Sequence, residues 1–329
     1  MRILVTGGNG FLGKRLVQEL LKRGSFSAAG AAAKPITEII STDLTLQGAS
    51  GAPASPMSFI AGDLVNPAFS RSLMSQPFDA IFHLASLVSG GAEKDFAAGM
   101  SANLRATVNL LEDCRKHQQS PVLVFTSSIA AYGGTLPDLV TDDQALTPQS
   151  SYGTQKAAAE LLINDYSRKG YLDGRSLRLP IVIIRPERAN TAVSGFASAL
   201  FREPLHGRPA ECPLADHDQI CVASVASSIR GLIRAAESPA QSWGTFRAVT
   251  LPGRTVRIDE MIAALRSFAG PEACGLIGRK TDPQIQGLVR SWPARFDSAR
   301  ARQVGFPEEQ TLADIISDFV QHDFEISQT

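Results

Sequence analysis

The chain has 329 residues, more than one hydrophobic core usually supports, so we expect one large domain with a smaller lobe attached. Lysine plus arginine equals aspartate plus glutamate, at 32 each, which leaves no net charge to attract a polyanion. We therefore expect neither a nucleic acid nor a membrane surface among its partners.

Short β-branched apolar runs alternate with longer helical patterns through the first half of the chain. The predicted strands are Arg2–Thr6, Glu38–Thr42, Ser58–Ala61, Ala80–Leu84, Pro121–Ser127 and Leu179–Arg185. The predicted helices are Phe11–Arg23, Leu104–His117 and Tyr152–Lys169, with Ser25–Pro35 and Leu44–Met57 as surface loops. This alternation predicts an α/β fold with a doubly wound parallel sheet of the Rossmann type.

The alternation dissolves after about Pro186 into shorter, proline-richer pieces that end in amphipathic helices at Arg257–Ala269 and Thr311–Asp323. We predict a nucleotide-binding domain over residues 1–186 and a smaller substrate-binding lobe over residues 187–329. Strands and helices of the lobe are free to interleave with the sheet.

A glycine-rich turn, Thr6 to Gly13, joins the first predicted strand to the first predicted helix. Glycines there permit a tight turn and a close backbone approach to a diphosphate, and the helix N-terminus supplies unpaired N–H donors. An ordinary strand-to-helix turn is the alternative, but the strand–turn–helix context favours a dinucleotide.

Asp43 ends the second long strand, where a carboxylate accepts hydrogen bonds from the adenosine ribose hydroxyls and repels a 2′-phosphate. This favours NAD over NADP as the cofactor. Asp43 lies further along the chain from Gly13 than is usual, and the insertion Ser25–Pro35 accounts for the extra residues. A turn-capping aspartate is the alternative.

Tyr152 is the one tyrosine with a lysine four residues later, Lys156, and helical spacing places both on one face. A phenol is a poor base at neutral pH, but a neighbouring ammonium lowers its pKa by stabilising the phenolate. Ser128 ends an apolar strand at the sheet edge where ligands bind. We predict Ser128, Tyr152 and Lys156 as the catalytic residues; a helix cap and an amphipathic surface pair are the alternatives.

The cysteines Cys114, Cys212, Cys221 and Cys274 form no CxxC pair, and no histidine lies at metal-ligand spacing. We expect buried free thiols and no metal site. No signal-peptide pattern or long apolar stretch occurs, so we expect a cytoplasmic protein.

These residues resemble the extended short-chain dehydrogenase/reductases, the NAD-dependent epimerase/dehydratase group, over nearly the whole chain. The matching motifs are Thr6–Gly13, Asp63-Leu64, His83-Leu84-Ala85, Asn103, Ser128, Tyr132, Tyr152 and Lys156. The expected cofactor contacts are Gly7, Asn9, Gly10, Phe11, Leu12, Gly13, Asp43, Asp63, Leu64, Leu84, Ala85, Asn103, Tyr152, Lys156 and Pro186. Related enzymes also imply a homodimer.

Longer stretches are similar to dehydrogenases of four-carbon sugar acids within that group. They are Val124–Ser128, Thr147–Gly153, Asn164–Arg168, Arg202–Leu205 and Trp292–Asp297. The resemblance implies oxidation at C2 of a small sugar acid, but Glu187 stands where the pattern has glycine. Candidate substrate contacts are Ser86, Ser89, Ser128, Arg185, Asn190, Ser194 and Ser198, with Arg188 and Arg295 as further candidates for the carboxylate.

Two alternatives stay open from the sequence. A nucleotide-sugar epimerase or dehydratase uses the same serine, tyrosine and lysine but keeps NAD tightly bound through each cycle. A non-catalytic NAD sensor on this fold is the other. The sensor needs the turn but not the Tyr152–Lys156 pair, so the presence of that pair favours an enzyme.

Overall fold

The computed structural model describes residues 1–45, 56–117, 120–186 and 192–325. The strands are β1 (Arg2–Thr6), β2 (Ser25–Phe26), β3 (Lys34–Pro35), β4 (Glu38–Asp43), β5 (Met57–Ala61), β6 (Ala80–His83), β7 (Val122–Ser128), β8 (Asp173–Leu179), β9 (Ile181–Ile183), β10 (Ala210–Cys212), β11 (Gln219–Ser224), β12 (Ala248–Thr250), β13 (Arg254–Arg257) and β14 (Ile277–Arg279).

The helices are α1 (Phe11–Arg23), α2 (Pro67–Leu73), α3 (Ser89–Lys94), α4 (Phe96–Gly99), α5 (Ala106–His117), α6 (Ser151–Arg168), α7 (Gly195–Leu205), α8 (Val225–Glu237), α9 (Ile258–Gly275), α10 (Pro283–Arg290), α11 (Ala299–Val304) and α12 (Leu312–His322). Short 3₁₀ helices occur at Ile129–Ala131 and Ala240–Trp243, and a π-helical segment, Met100–Arg105, leads into α5.

The central sheet has seven parallel strands in the order β12-β8-β7-β6-β1-β4-β5. Apolar side chains of α1 and α8 pack on one face, and those of α2, α5 and α6 pack on the other. The chain runs outward from β1 to β5 and then returns to β6 on the other side of β1. The predicted doubly wound α/β fold is confirmed, and this reversal creates a crevice beside β1.

Residues after 186 contribute to two different layers. Strand β12 pairs with β8 in the central sheet, and α8 packs in the same core as α1. A second apolar cluster instead joins α7, α9 and α12 to the three-stranded sheet β13-β11-β9. Lobe elements therefore interleave with the sheet, and the division at residue 186 stays a prediction.

The predicted strand Leu179–Arg185 is wrong. Strand β8 ends at Leu179, and β9 begins at Ile181 in a different sheet, paired with β11. Pro180 separates them because proline has no N–H to continue the ladder. Strand β8 was not predicted because Arg175 and Arg178 make its sequence look polar, yet both arginines are fully buried.

The predicted loop Ser25–Pro35 contains the short antiparallel pair β2 and β3. Residues 46–55 of the second predicted loop lie outside the described residues.

The four cysteines are free thiols; three are buried and Cys274 is half-buried. Among the helices described, none has the length and apolar character needed to cross a membrane.

Candidate active site

A cavity of about 650 Å³ lies along the carboxyl ends of the central strands. The predicted contacts that line it are Gly7, Gly10, Phe11, Leu12, Gly13, Asp43, Asp63, Leu64, Leu84, Ala85, Ser86, Ser89, Ser128, Tyr152, Lys156, Arg185 and Ser194. Asn9, Asn103, Pro186 and Ser198 do not line it, and Asn190, Glu187 and Arg188 lie outside the described residues. The fold thus brings most of the predicted residues to one cavity.

The glycine-rich turn has the shape that a diphosphate requires. Gly7 has φ +69°, and a Cβ there would lie 2.6 Å from the Ala85 backbone nitrogen. A Cβ on Gly13 would lie 2.3 Å from the Gly7 carbonyl oxygen. Gly10 caps α1 without a side-chain hydrogen bond, so the first N–H groups of α1 have no side-chain acceptor at the cap. These residues fit a dinucleotide.

Asp43 lines the cavity at the end of β4, and two backbone N–H groups fix its carboxylate. The Asn9 amide donates to Oδ2 at 3.0 Å, and the Leu44 amide donates to Oδ1 at 2.8 Å. Asn9 therefore acts on the cavity through its backbone, by orienting Asp43. A fixed carboxylate at this place suits a ribose diol better than a 2′-phosphate.

Helix α6 carries the catalytic candidates to the end of β7. Ser150 caps the helix by accepting from the Gly153 amide at 3.1 Å, and the exposed Glu93 accepts from the Ser151 amide at 2.9 Å. A Cβ on Gly153 would lie 2.0 Å from the Ala130 carbonyl oxygen. The absence of a side chain at residue 153 thus lets α6 approach the residues that follow β7.

Tyr152 lines the cavity together with Ser86 and Ser128, and the hydroxyls of both serines lower its pKa. The prediction that Lys156 lowers the pKa of Tyr152 is wrong, because burial raises this pKa to about 12 against the opposing effects of the two serines and Arg185. The Lys156 ammonium lies 5.5 Å from the Tyr152 ring centre and donates to the Thr126 carbonyl at 2.8 Å.

Lys156 is almost completely buried. Burial lowers its pKa to about 7, against the opposing charge of Glu160. The ammonium is held by the carbonyl of Thr126 on β7. Lys156 is not among the groups that shift the pKa of Tyr152.

A buried ion pair that sequence reasoning missed lies behind these residues. Arg178 donates through Nε and Nη2 to both carboxylate oxygens of Glu160, at 2.7 to 3.1 Å, and neither side chain is exposed. Ser127 donates to the same carboxylate, and Arg178 also donates to Tyr132 and to the Asp142 carbonyl. The helix that carries Tyr152 and Lys156 is thereby fixed to β7 and β8.

Asn103 lies behind the cavity wall, with its side chain fully engaged. Its Oδ1 accepts from the Leu87 amide at 2.7 Å and from the Ser86 hydroxyl at 3.0 Å. Its Nδ2 donates to Gln155 Oε1 at 2.7 Å and to the Leu87 carbonyl at 3.0 Å. The structure therefore places Asn103 where it orients Ser86 rather than where it touches a cofactor.

His83 anchors the wall formed by Leu84 and Ala85. Its Nδ1 lies 2.7 Å from the Thr6 hydroxyl and its Nε2 lies 2.9 Å from the Thr107 hydroxyl. Burial, helped by the charge of Lys156, lowers the pKa of His83 to about 3, so the ring is neutral. Thr107 already donates to the Asn103 carbonyl. The Thr107 oxygen therefore accepts from Nε2–H, and Thr6 donates to Nδ1.

Arg185 is the predicted arginine that the fold brings to the cavity. Ser198 accepts from its backbone N–H at 3.2 Å and from its Nε at 3.4 Å, so Ser198 positions Arg185 instead of lining the cavity. The other described candidate, Arg295, has a side chain that is 52% exposed and donates to Asp138 at 2.7 Å. Arg295 is thus a surface residue, and the same segment contributes Trp292 to the cavity wall.

The chain belongs to the NAD-dependent epimerase/dehydratase family, whose profile matches residues 3–221. It is 40% identical to a D-erythronate dehydrogenase from Cupriavidus necator over 321 residues, 98% of each chain. It is 37% identical to a D-erythronate dehydrogenase from Haemophilus influenzae, covering 98% of this chain and 100% of that relative.

A crystal structure described as the nucleoside-diphosphate-sugar epimerase from Agrobacterium tumefaciens has a TM-score of 0.91 and 37% identity. The match covers 99% of this chain and 95% of that chain. The family and these relatives make the protein an oxidoreductase that acts on CH–OH groups, and family membership implies a nicotinamide cofactor.

Proposed function

We propose that the protein oxidises the C2 hydroxyl of a small sugar acid, D-erythronate to 2-dehydro-D-erythronate, with NAD as the cofactor. The observation that carries this proposal is that Tyr152, Ser86, Ser128 and Arg185 line one cavity. Two relatives that align over nearly the whole chain and are named D-erythronate dehydrogenase support the choice of substrate.

Tyr152 accepts the proton of the C2 hydroxyl in this proposal, while the hydroxyls of Ser86 and Ser128 orient the reacting oxygen. Lys156 holds the end of β7 through the Thr126 carbonyl. When bound, the nicotinamide supplies the hydride acceptor. The turn from Gly7 to Gly13 would hold the diphosphate, and Asp63 and Leu64 would contact the adenine end.

Arg185 is the proposed partner of the substrate carboxylate. Burying a carboxylate without a partner costs several kcal/mol, and a guanidinium offers paired donors in the geometry that a carboxylate requires. Ser89 and Ser194 line the same cavity and supply further polar groups for the remaining hydroxyls. Asn190 stays a candidate from the sequence.

A strong preference for NAD over NADP is the expected consequence of Asp43. The Asp43→Ser variant should narrow that preference by roughly 10-fold to 100-fold, because hydrogen bonds to a charged group contribute about 1.5–3 kcal/mol and the repulsion of a 2′-phosphate is removed. The measurement is kcat/KM for each cofactor with the same acid. Asp63→Asn is the control, since it should weaken both cofactors alike. A wild-type enzyme that prefers NADP would refute the role of Asp43.

Accumulation of NADH with free sugar acids tests the function. We expect the enzyme to reduce NAD with a four-carbon aldonic acid in a panel of four- to six-carbon aldonic and uronic acids. The rival is a nucleoside-diphosphate-sugar epimerase or dehydratase, which the similarity to the Agrobacterium tumefaciens structure favours. Tightly co-purified NAD, no net NADH, and turnover of nucleotide-sugars alone would establish the rival and end the proposal.

We further propose that the protein is a homodimer and works in the cytoplasm. The exposed apolar side chains of Phe96 on α4 and Leu161 on α6 lie on two helices that contact each other. Sedimentation of the purified chain at micromolar concentration measures the assembly directly.

A further inference from the structure

Trp292 lines the same cavity as Tyr152, although it lies far along the chain in the segment between α10 and α11. Its side chain is half-buried and packs on the apolar cluster that contains Ile129 and Ile181. Ile129 follows Ser128 directly, and Ile181 follows the end of β8. Phe296, four residues further along, packs on the ring of Tyr132, which follows β7. The segment that carries Trp292 therefore lies on the β7–β8 side of the cavity.

Asp43 and Asp63 mark the other end of the cavity. Asp43 ends β4 and Asp63 follows β5, and these two strands lie across β1 from β7 and β8 in the sheet order. The dinucleotide turn lies between these two ends, at the exit of β1. An indole at the β7–β8 end thus faces the space left for the substrate, not the adenine site.

The segment that carries Trp292 is fixed on both sides. The Trp292 amide donates to the Val289 carbonyl at 3.1 Å, and the Thr255 hydroxyl donates to the Ala294 carbonyl at 2.6 Å. Val140 then exchanges backbone hydrogen bonds with residues 295 and 297, at 3.0 and 2.9 Å. These bonds fix the backbone on both sides of Trp292, so the indole stands on a fixed segment of the cavity wall.

We propose that Trp292 is a specificity-determining residue that limits the length of the substrate's carbon chain. This inference rests on the proposed function. The polar groups along the wall, Ser86, Ser89, Ser128, Ser194 and Arg185, match the hydroxyls and carboxylate of a short sugar acid. A large indole offers a further hydroxymethyl group one N–H donor and no acceptor, and it occupies the volume that such a group needs.

The test compares a four-carbon acid, D-erythronate, with a six-carbon acid, D-gluconate, in wild-type, Trp292→Ala, Trp292→Phe and Arg295→Ala enzymes. We expect Trp292→Ala to raise the ratio of kcat/KM for the six-carbon acid over the four-carbon acid by about 10-fold or more, since one methylene in a pocket is worth roughly 10- to 200-fold. Trp292→Phe should show a smaller change in the same direction. Arg295→Ala, in the same segment but on the surface, should leave the ratio unchanged.

Intrinsic fluorescence gives a second readout that does not depend on turnover. The chain has two tryptophans, and Trp243 is fully buried with its Nε1 bonded to Ser238 at 2.8 Å. The difference between the wild-type and Trp292→Phe spectra therefore isolates Trp292. We expect D-erythronate, added with saturating NADH, to change this difference signal.

The outcomes separate the two proposals. An unchanged chain-length ratio in both folded Trp292 variants would overturn the role of Trp292 and leave the dehydrogenase assignment standing. A wild-type enzyme that oxidises neither acid would end the proposed function. The fluorescence then decides the role of Trp292. A change on adding D-erythronate supports Trp292 as part of the substrate wall, and no change with either acid refutes that role. If Trp292→Ala fails to fold, the Trp292→Phe ratio decides in its place.

Discussion

Tyr152→Phe is expected to lower kcat by about 10²- to 10⁴-fold, the usual contribution of a positioned proton-transfer group. The change removes one hydroxyl and keeps the ring, so the cavity wall and the dinucleotide site stay in place. Binding of NADH, measured by its fluorescence enhancement, should therefore change little. Single-turnover absorbance at 340 nm measures the loss in the chemical step.

The pH dependence of the same reaction gives an independent check. Burial raises the pKa of Tyr152 to about 12, so the phenolate fraction rises about tenfold for each pH unit below that value. Oxidation by the wild-type enzyme should accelerate from neutral to alkaline pH, and Tyr152→Phe should lose that acceleration.

Tyr166→Phe is the matched control on helix α6. Tyr166 donates to Glu112 at 2.5 Å and does not line the cavity. The Tyr166→Phe variant should retain near-normal turnover. If Tyr152→Phe kept a kcat within a few-fold of wild type, the assignment of Tyr152 as the proton acceptor would fail.

Glu160→Gln should destabilise the fold by about 3–5 kcal/mol, the usual effect of removing one partner from a buried ion pair. The Arg178 guanidinium would then keep only the more distant Asp142 carboxylate, 3.9 Å away, as a countercharge, and the side chains of Arg178 and Glu160 are both fully shielded from solvent. A loss of this size is a large fraction of the roughly 5–15 kcal/mol that stabilises a typical domain. Urea denaturation with linear extrapolation measures it.

The control for this prediction is Asp165→Asn on the same helix. Asp165 pairs with Arg168, but both side chains are more than half exposed, so the change should cost less than about 1 kcal/mol. Equal losses in the two variants would contradict the buried role of Glu160. Loss of the Glu160 charge should also move the pKa of Lys156 further below about 7, because Glu160 opposes the effect of burial.

The sequence predicted the elements whose signals are local. Strand β1 and helix α1 have the predicted bounds, and the turn between them lines the cavity. Glycine spacing, apolar periodicity and the four-residue offset of Tyr152 and Lys156 can each be read within one turn or one helix. The resemblance to known motifs predicted further residues that line the cavity, including Asp63 and Ala85.

The pKa shifts and side-chain contacts at the site could not be predicted from the sequence in the same way. The Tyr152–Lys156 spacing indicated a shared face, and the two side chains do line one cavity, but the direction of the Tyr152 pKa shift depends on burial. Asn103 matched a motif and yet lies behind the wall, because its amide is used by Ser86, Leu87 and Gln155.

The sequence by itself determined the fold class and the family, and it predicted the dinucleotide turn and the catalytic helix, since each follows from residues close together in the chain. The tertiary structure alone decided that polar-looking β8 is a core strand, that Glu160 pairs with Arg178, that Arg295 faces solvent and that Trp292 lines the cavity. The physical reason is that burial and pairing depend on partners distant in the chain, which no local pattern records.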